Sequence, residues 1–222
     1  MTFKDQKVYI YGRLRGVTGR RVGELAVATG VSLTRRPSAA DTIVLAHSTA
    51  GFAVSDDGEL RLGLRWNANA RLVSERSFQS QLGLVVLPSA SDSSYSEDQI
   101  ARHAGLNAQQ LRTLSLYDVL SPAETGFSYM DLVAARAVGR LFAAGAKFPK
   151  IIVAALALEE RGMSLSGVRL AEAPWGELMR VFEGALAEID GQLILPLEGS
   201  DVGADEAFAR AEASERSIRV AT

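Results

Sequence analysis

Asn107, Gln109, Arg112 and Thr113 are side chains of the types that hydrogen-bond base edges and phosphate oxygens. On a helix capped by Asn107 they occupy one outward face, with small Ala108 between them, and a polar strip of that width fits a major groove. The chemistry they offer is recognition: amides and a guanidinium present donors and acceptors in the paired pattern that duplex bases display.

Such a strip must be held by something rigid. Ser96 with Gln99 and Asn107 with Gln110 form two capping-box patterns eleven residues apart, so two short helices run back to back over Glu97 to Leu116. Ile100, Ala104, Leu111 and Leu114 are spaced to meet inside the pair; Ala101 permits close approach and Gly105 supplies the positive φ of the tight turn. This is the pattern of a helix-turn-helix. After Leu120, Ser121 and Pro122 comes a short loop with Gly126 and Phe127, and Ser128 with Asp131 opens a helix that runs through Ala144 and stops at Gly145. Pro149 starts another helix, whose Ile152, Ala155 and Leu156 pack back on the first pair and which Gly162 ends.

That succession, over about residues 95–162, resembles the winged DNA-binding domain of MerR-type regulators. The resemblance rests on the leucine and arginine of the second helix, the Leu-Ser-Pro exit, the glycine and aromatic of a short wing, and the two helices that follow. It implies that Asn107, Ala108, Gln109, Arg112 and Thr113 enter a major groove while Phe127, Ser128 and Tyr129 form the wing. Two positions depart from the family. An arginine followed by two tyrosines is usual in the recognition helix, and here the residues are Arg112, Thr113 and Leu114. The wing arginine is replaced by Ser128.

Ahead of this region, Val8 to Tyr11, Val31 to Thr34, Thr42 to Ala46 and Arg71 to Val73 read as strands, and Gly19 to Thr29 as a helix with Val22, Leu25 and Ala26 on one face. Strands alternating with helices predict a mainly parallel sheet. Residues 6–85 resemble a BRCT domain, on Gly12, on Val22, Leu25 and Gly30, on Asp41 before the third strand, and on Val73, Ser74 and Phe78. BRCT domains bind phosphorylated peptides, DNA ends or other domains. In the phosphopeptide-binding members a serine or threonine precedes the glycine; here that place holds Tyr11. Arg13, Arg15, Arg20 and Arg21 near the first helix, with Arg35 and Arg36 after the second strand, offer phosphate or partner contacts instead.

Charge supports the same division. Residues 1–90 hold 12 Lys and Arg against 7 Asp and Glu, residues 91–162 hold 7 against 8, and residues 163–222 hold 5 against 11, which gives +5, −1 and −6. A basic first third beside a helix-turn-helix suits a polyanion, and an acidic tail points away from one.

The 222-residue chain has no cysteine, so disulfides, thiolate metal sites and a cysteine nucleophile are excluded. No phosphate-cradling glycine motif, metal-ligand cluster or nucleophile beside a base is visible, and His47 reads as a surface or capping residue. The expectation is a protein that is not an enzyme and uses no cofactor or metal. The start MTFKDQKVYIYG lacks the apolar run of a signal peptide, and a cytoplasmic location without membrane contact is expected.

The expected organisation is a multidomain α+β chain: a BRCT-like α/β parallel-sheet domain (1–87), a small polar linker (88–94), a mainly α winged helix-turn-helix (95–162), a small antiparallel β meander (163–198) and an acidic tail (199–222). In the meander Val168 to Ala171, Glu177 to Phe182, Ala185 to Ile189 and Gln192 to Leu197 are strands, with Trp175 packed at the edge and the whole leaning on the helices. The corresponding function is a transcription regulator reading double-stranded DNA, with an interaction adaptor or a DNA-end binder led by the first domain as alternatives. A homodimer would have to use the first domain or the β module.

Overall fold

Short runs of β-branched and leucine residues in the first 75 positions build a sheet buried on both faces. The structure is a computed structural model that describes residues 3–87, 95–123, 126–173, 176–182 and 185–189. Strands β1 (Lys7–Tyr11), β2 (Ser32–Leu33), β3 (Thr42–Leu45) and β4 (Arg71–Ser74) pair in parallel in the order β2-β1-β3-β4. Every residue of the central strand β3, Thr-Ile-Val-Leu, is buried, as expected for a parallel strand covered above and below.

One cover is helix α1 (Gly19–Ala28), the crossover between β1 and β2. Thr18 caps it by accepting the Arg21 N–H, and its buried Val22 and Ala26 meet Val8, Val44 and Phe78. Helix α2 (Glu75–Gln81) follows β4 directly, with Ser74 as its cap, and contributes Phe78 to the same core. The opposite face of the sheet, Ile43 and Leu45, is covered by Ala53, Leu62 and Ala70 of an irregular segment and by Leu116 from the helical region.

That region contains α3 (Glu97–Ala104), α4 (Ala108–Leu116), α5 (Tyr129–Ala143) and α6 (Phe148–Glu160). The capping boxes at Ser96, Asn107 and Ser128 are all formed, and Gly105 takes φ 66° in the turn between α3 and α4. Ile100, Ala104, Leu111 and Leu114 meet in one core with Ile152, Ala155 and Leu156 of α6. Helices α3 and α5 cross so closely that a Cβ on Gly139 would lie 1.8 Å from the Ala104 carbonyl oxygen.

Strands β5 (Leu170–Glu172), β6 (Leu178–Phe182) and β7 (Ala185–Ala187) form an antiparallel sheet in that order, and Leu178 inserts into the helical core. The fold is therefore mixed α/β, with a four-stranded parallel sheet, helices and a small antiparallel sheet. The expected linker 88–94, Trp175, the fourth meander strand Gln192 to Leu197 and the tail 199–222 lie outside the described residues. Among the described residues no helix is long and apolar enough to cross a membrane.

The sheet and the helices share their cores. Ala50 and Val54, from the segment after β3, belong to the helical core, while Leu116 of α4 belongs to the sheet core.

Candidate nucleic-acid interface

The first two turns of α4 carry the exposed strip that the sequence predicts, in a narrower form. Asn107, Ala108, Gln109 and Arg112 are exposed. Thr113 is not: it is 2 % exposed, and its Oγ1 donates to the Gly58 carbonyl at 2.9 Å. The helical period explains the difference, because Gln110, Thr113 and Tyr117 share a third face that is neither the core of the helix pair nor open to solvent. Gln110 uses both ends of its amide on this flank. Its Oε1 accepts the Asn107 N–H at 2.9 Å in the capping box, and its Nε2 donates to the Asp57 carbonyl at 2.9 Å. The C-terminal half of α4 then runs onto the sheet through Leu116.

The expected wing is also mostly structural. Phe127 is 7 % exposed and lies in the helical core, with its backbone paired to Tyr95 by bonds of 2.9 and 3.2 Å, so it does not project toward a ligand. Ser128 is the cap of α5. Its backbone N–H and its hydroxyl donate to Asp131 Oδ2 at 2.9 and 2.6 Å, and the other Asp131 oxygen accepts the Ser121 N–H at 2.7 Å. Of the three wing positions only Tyr129 stands out, beside the exposed Met130.

Six arginines at one end of the sheet separate into three kinds. Arg20 and Arg21 pair with Glu24 on their own helix at 3.1 and 3.4 Å. Arg15 Nε reaches Glu160 of α6 at 2.9 Å and so belongs to the contact between sheet and helices. Arg13, Arg35 and Arg36, after the carboxyl ends of the adjacent strands β1 and β2, are exposed and have no ion pair among the described residues.

The same contact draws in the carboxylates of the helical region. Glu160 pairs with Arg15, Glu159 with Arg76, and Asp118 with His47. Asp131 is spent as a cap. Outward on these helices are Arg102 on α3, Arg112 on α4, and Arg136 and Arg140 on α5, each exposed and without a carboxylate partner among the described residues, together with the exposed Glu97 and Asp98 in the first turn of α3.

His47, which the sequence places at the surface or as a cap, is buried instead between two carboxylates, both distant along the chain. Its Nε2 is 2.8 Å from Asp118 Oδ2 and its Nδ1 is 3.9 Å from Glu75 Oε2. Glu75, 1 % exposed, accepts the His47 backbone N–H at 2.7 Å, the Gln79 amide at 3.1 Å and the Arg15 backbone N–H. Asp118 Oδ2 also takes the Arg76 N–H at the start of α2, at 3.0 Å. Next to this network the buried Tyr117 hydroxyl lies 2.9 Å from Thr49 Oγ1, and burial pushes the Tyr117 phenol up to about 12.

Although a histidine held by a carboxylate is a common catalytic orienting device, here Nδ1 is buried and has no hydrogen-bond partner. The other ring nitrogen, Nε2, is taken up by Asp118. The arrangement does positional chemistry: it ties the exit of β3, the start of α2 and the end of α4 together. Gly12 closes the crevice at the carboxyl ends of β1 and β3, where open α/β sheets usually bind ligands. A Cβ there would lie 2.4 Å from Thr49 Cγ2, and Ser48 Oγ accepts the Arg13 N–H at 2.9 Å.

Sequence reasoning missed Glu75, Asp118, Gln110 and Gly58 as partners. The only signal was weak: an Asp at the C-terminus of a helix where glycine would be usual. No protein-family model, curated protein or solved structure matches the chain.

Proposed function

We propose that this protein is a noncatalytic binder of duplex DNA that reads it with the first two turns of α4. What carries this reading is the distribution of charge. The contact with the sheet pairs Glu159, Glu160 and Asp118, and Arg102, Arg112, Arg136 and Arg140 stay exposed on α3, α4 and α5, against the exposed carboxylates Glu97 and Asp98 in the first turn of α3. Asn107, Gln109 and Arg112 sit at the N-terminal end of the second helix, the end that meets base edges in helix-turn-helix proteins. Arg112 is the natural base or phosphate contact, and the other arginines supply the salt-dependent term. Arg13, Arg35 and Arg36 are exposed and able to hold further phosphates. The resemblance of residues 95–162 to MerR-type regulators supports transcription control as the setting.

A second reading, an interaction adaptor, is favoured by one observation: Thr113, Phe127 and Ser128 are used by the fold itself, which leaves fewer contacts for DNA than a full winged domain offers. Binding to a random duplex pool at increasing salt separates the two. Enrichment of one sequence, abolished in Arg112→Ala, supports the regulator; no binding at the lowest salt sinks the DNA reading and leaves the adaptor.

A further inference from the structure

The buried ring of His47 has an acid at each of its two nitrogens. Nε2 donates to Asp118 Oδ2 at 2.8 Å, while Nδ1 lies 3.9 Å from Glu75 Oε2 and makes no hydrogen bond. Every partner of both acids is a donor, as an ionised carboxylate requires. Glu75 accepts the backbone N–H groups of His47 and Arg15 and the Gln79 amide, and Asp118 Oδ2 accepts the ring and the Arg76 N–H.

The cations around this cluster are committed elsewhere. Arg15, from the loop after β1, pairs with Glu160 of α6 at 2.9 Å, and Arg76 of α2 pairs with Glu159 of α6. The remaining titratable neighbour, Tyr117, is bonded to Thr49 and is pushed up to about 12 by burial, so it adds no charge near neutral pH. A neutral His47 therefore leaves two buried anions without a counter-charge in the cluster and sets the Nδ1 lone pair against one of them. A proton on Nδ1 gives the ring a donor on each edge and a positive charge between the anions. Asp118 itself is at φ 59°, a conformation unfavourable for a non-glycine residue, so its bonds to the ring and to Arg76 hold it against strain. A crevice of about 200 Å³, lined by Arg76, Asp118, Asp131 and Glu159, brings solvent to the same carboxylate.

We propose that His47 is a proton-operated clamp between the parallel sheet and the helices. With its second proton the ring ties Asp118, just past the end of α4, to the exit of β3 and the start of α2; without it, the strained aspartate and that end of α4 are released. Histidine is the side chain whose charge changes near neutral pH, which makes it suited to such a switch. The sign follows from the proton count. The clamped state holds one proton more than the released state, so the clamp is complete at the acid end and opens as pH rises. None of these groups belongs to the exposed strip of α4, and the clamp does not rest on the DNA reading.

The test follows the full chain from about pH 5 to 9, a range in which histidine titrates and Tyr117, at about 12, does not. Nitrogen NMR of the imidazoles reads the proton directly, since an imidazolium has two N–H nitrogens and a neutral ring one. The chain has two histidines, and the exposed His103 is assigned with His103→Gln. Amide exchange at Arg76 and Asp118 reads the clamp, taken as a ratio to the β3 amides so that the intrinsic pH dependence of exchange cancels. We expect His47 to be doubly protonated at the acid end. As it loses the second proton the exchange ratio should rise by up to about tenfold per pH unit, the slope for release of one proton. His47→Gln, whose amide can donate to Asp118 but cannot titrate, should give a flat ratio. A ring that keeps one protonation state across the range overturns the clamp. So does a ring that titrates while the ratio stays flat, or a ratio that rises equally in His47→Gln. The first two readouts come from the unaltered histidine and stand even where the glutamine variant does not fold.

Discussion

His47 Nε2 lies 2.8 Å from the Asp118 carboxylate across 71 residues of sequence, and the bond joins the residue just past the end of α4 to the exit of a sheet strand. Asp118 takes φ 59°, a left-handed conformation that costs a non-glycine residue roughly 1–2 kcal/mol. Glycine is the usual solution at a helix C-terminus, since it adopts that conformation without strain. The aspartate is explained by what its carboxylate does: the same oxygen receives the imidazole and the Arg76 N–H that opens α2.

Substitution at Asp118 therefore sets backbone strain against hydrogen bonding. Hydrogen bonds to a charged group contribute about 1.5–3 kcal/mol each, so losing two outweighs the strain that glycine relieves. Asp118→Gly should destabilise by less than Asp118→Ala, which loses the bonds and keeps the strain, while Asp118→Asn falls nearest the unaltered protein. Urea unfolding of the three variants checks the order. A glycine variant as stable as the original would show that the two bonds contribute no more than the strain that glycine relieves.

Tyr117 makes stability depend on alkaline pH. Its hydroxyl, fully buried against Thr49, titrates near 12 in the folded chain against 10.0 in the unfolded one, because burial disfavours the phenolate. A folded value above the unfolded one means that the stabilisation is complete below pH 10, falls as the unfolded chain ionises, and is gone by about pH 12. Two pKa units correspond to about 2–3 kcal/mol. Tyr117→Phe should lose roughly 1 kcal/mol at neutral pH through the missing Thr49 bond, yet show a smaller fall in stability between pH 9 and 12. Denaturant midpoints at several pH values give the comparison, and parallel falls in both proteins would remove Tyr117 as the cause.

Gly139 tests the crossing of α3 and α5. In an exposed helix, replacing glycine by alanine stabilises by about 1 kcal/mol. Here the new Cβ would sit 1.8 Å from the Ala104 carbonyl oxygen, a backbone atom that cannot turn away. The clash dominates: Gly139→Ala should destabilise by about 2–4 kcal/mol, as other changes that overpack a helix crossing do. Thermal unfolding that leaves the midpoint unchanged or raised would mean that the two helices part without cost.

What could be seen in the sequence is whatever short-range interactions decide. The caps at Ser96, Asn107 and Ser128 pair residues three apart, and Gly105 meets a purely local demand, so each is visible in a window of a few residues. The β-branched run at Thr42–Leu45 similarly marks a central strand. The contents of the site are different. Thr113 looks like a surface residue until Gly58, 55 residues earlier, covers it, and His47 looks isolated until Glu75 and Asp118 arrive from 28 and 71 residues away. Helical period separates inside from outside but does not reveal that one helix has two buried flanks. Phe127 shows the same limit, since an aromatic after a glycine in a loop reads alike whether it projects or packs.

The two flanks of α4 also give the sharpest separation of fold from function. Thr113→Val keeps shape and volume but leaves the Gly58 carbonyl without its donor in a buried place, at a cost of about 1–3 kcal/mol. Arg112→Ala removes an exposed side chain with no ion pair among the described residues, where stability changes stay within about 0.5 kcal/mol. Duplex binding should respond the other way round. Arg112→Ala should weaken it and reduce the slope of log affinity against log salt by about 1, as removal of a single cation from a phosphate does, whereas Thr113→Val should keep that slope at temperatures where it is folded. Unfolding curves and salt titrations on the same two variants decide the matter: if Thr113→Val alone changed the slope, the flank against Gly58 would have to open when DNA binds, and the proposed contact strip would extend beyond the exposed residues Asn107, Ala108, Gln109 and Arg112.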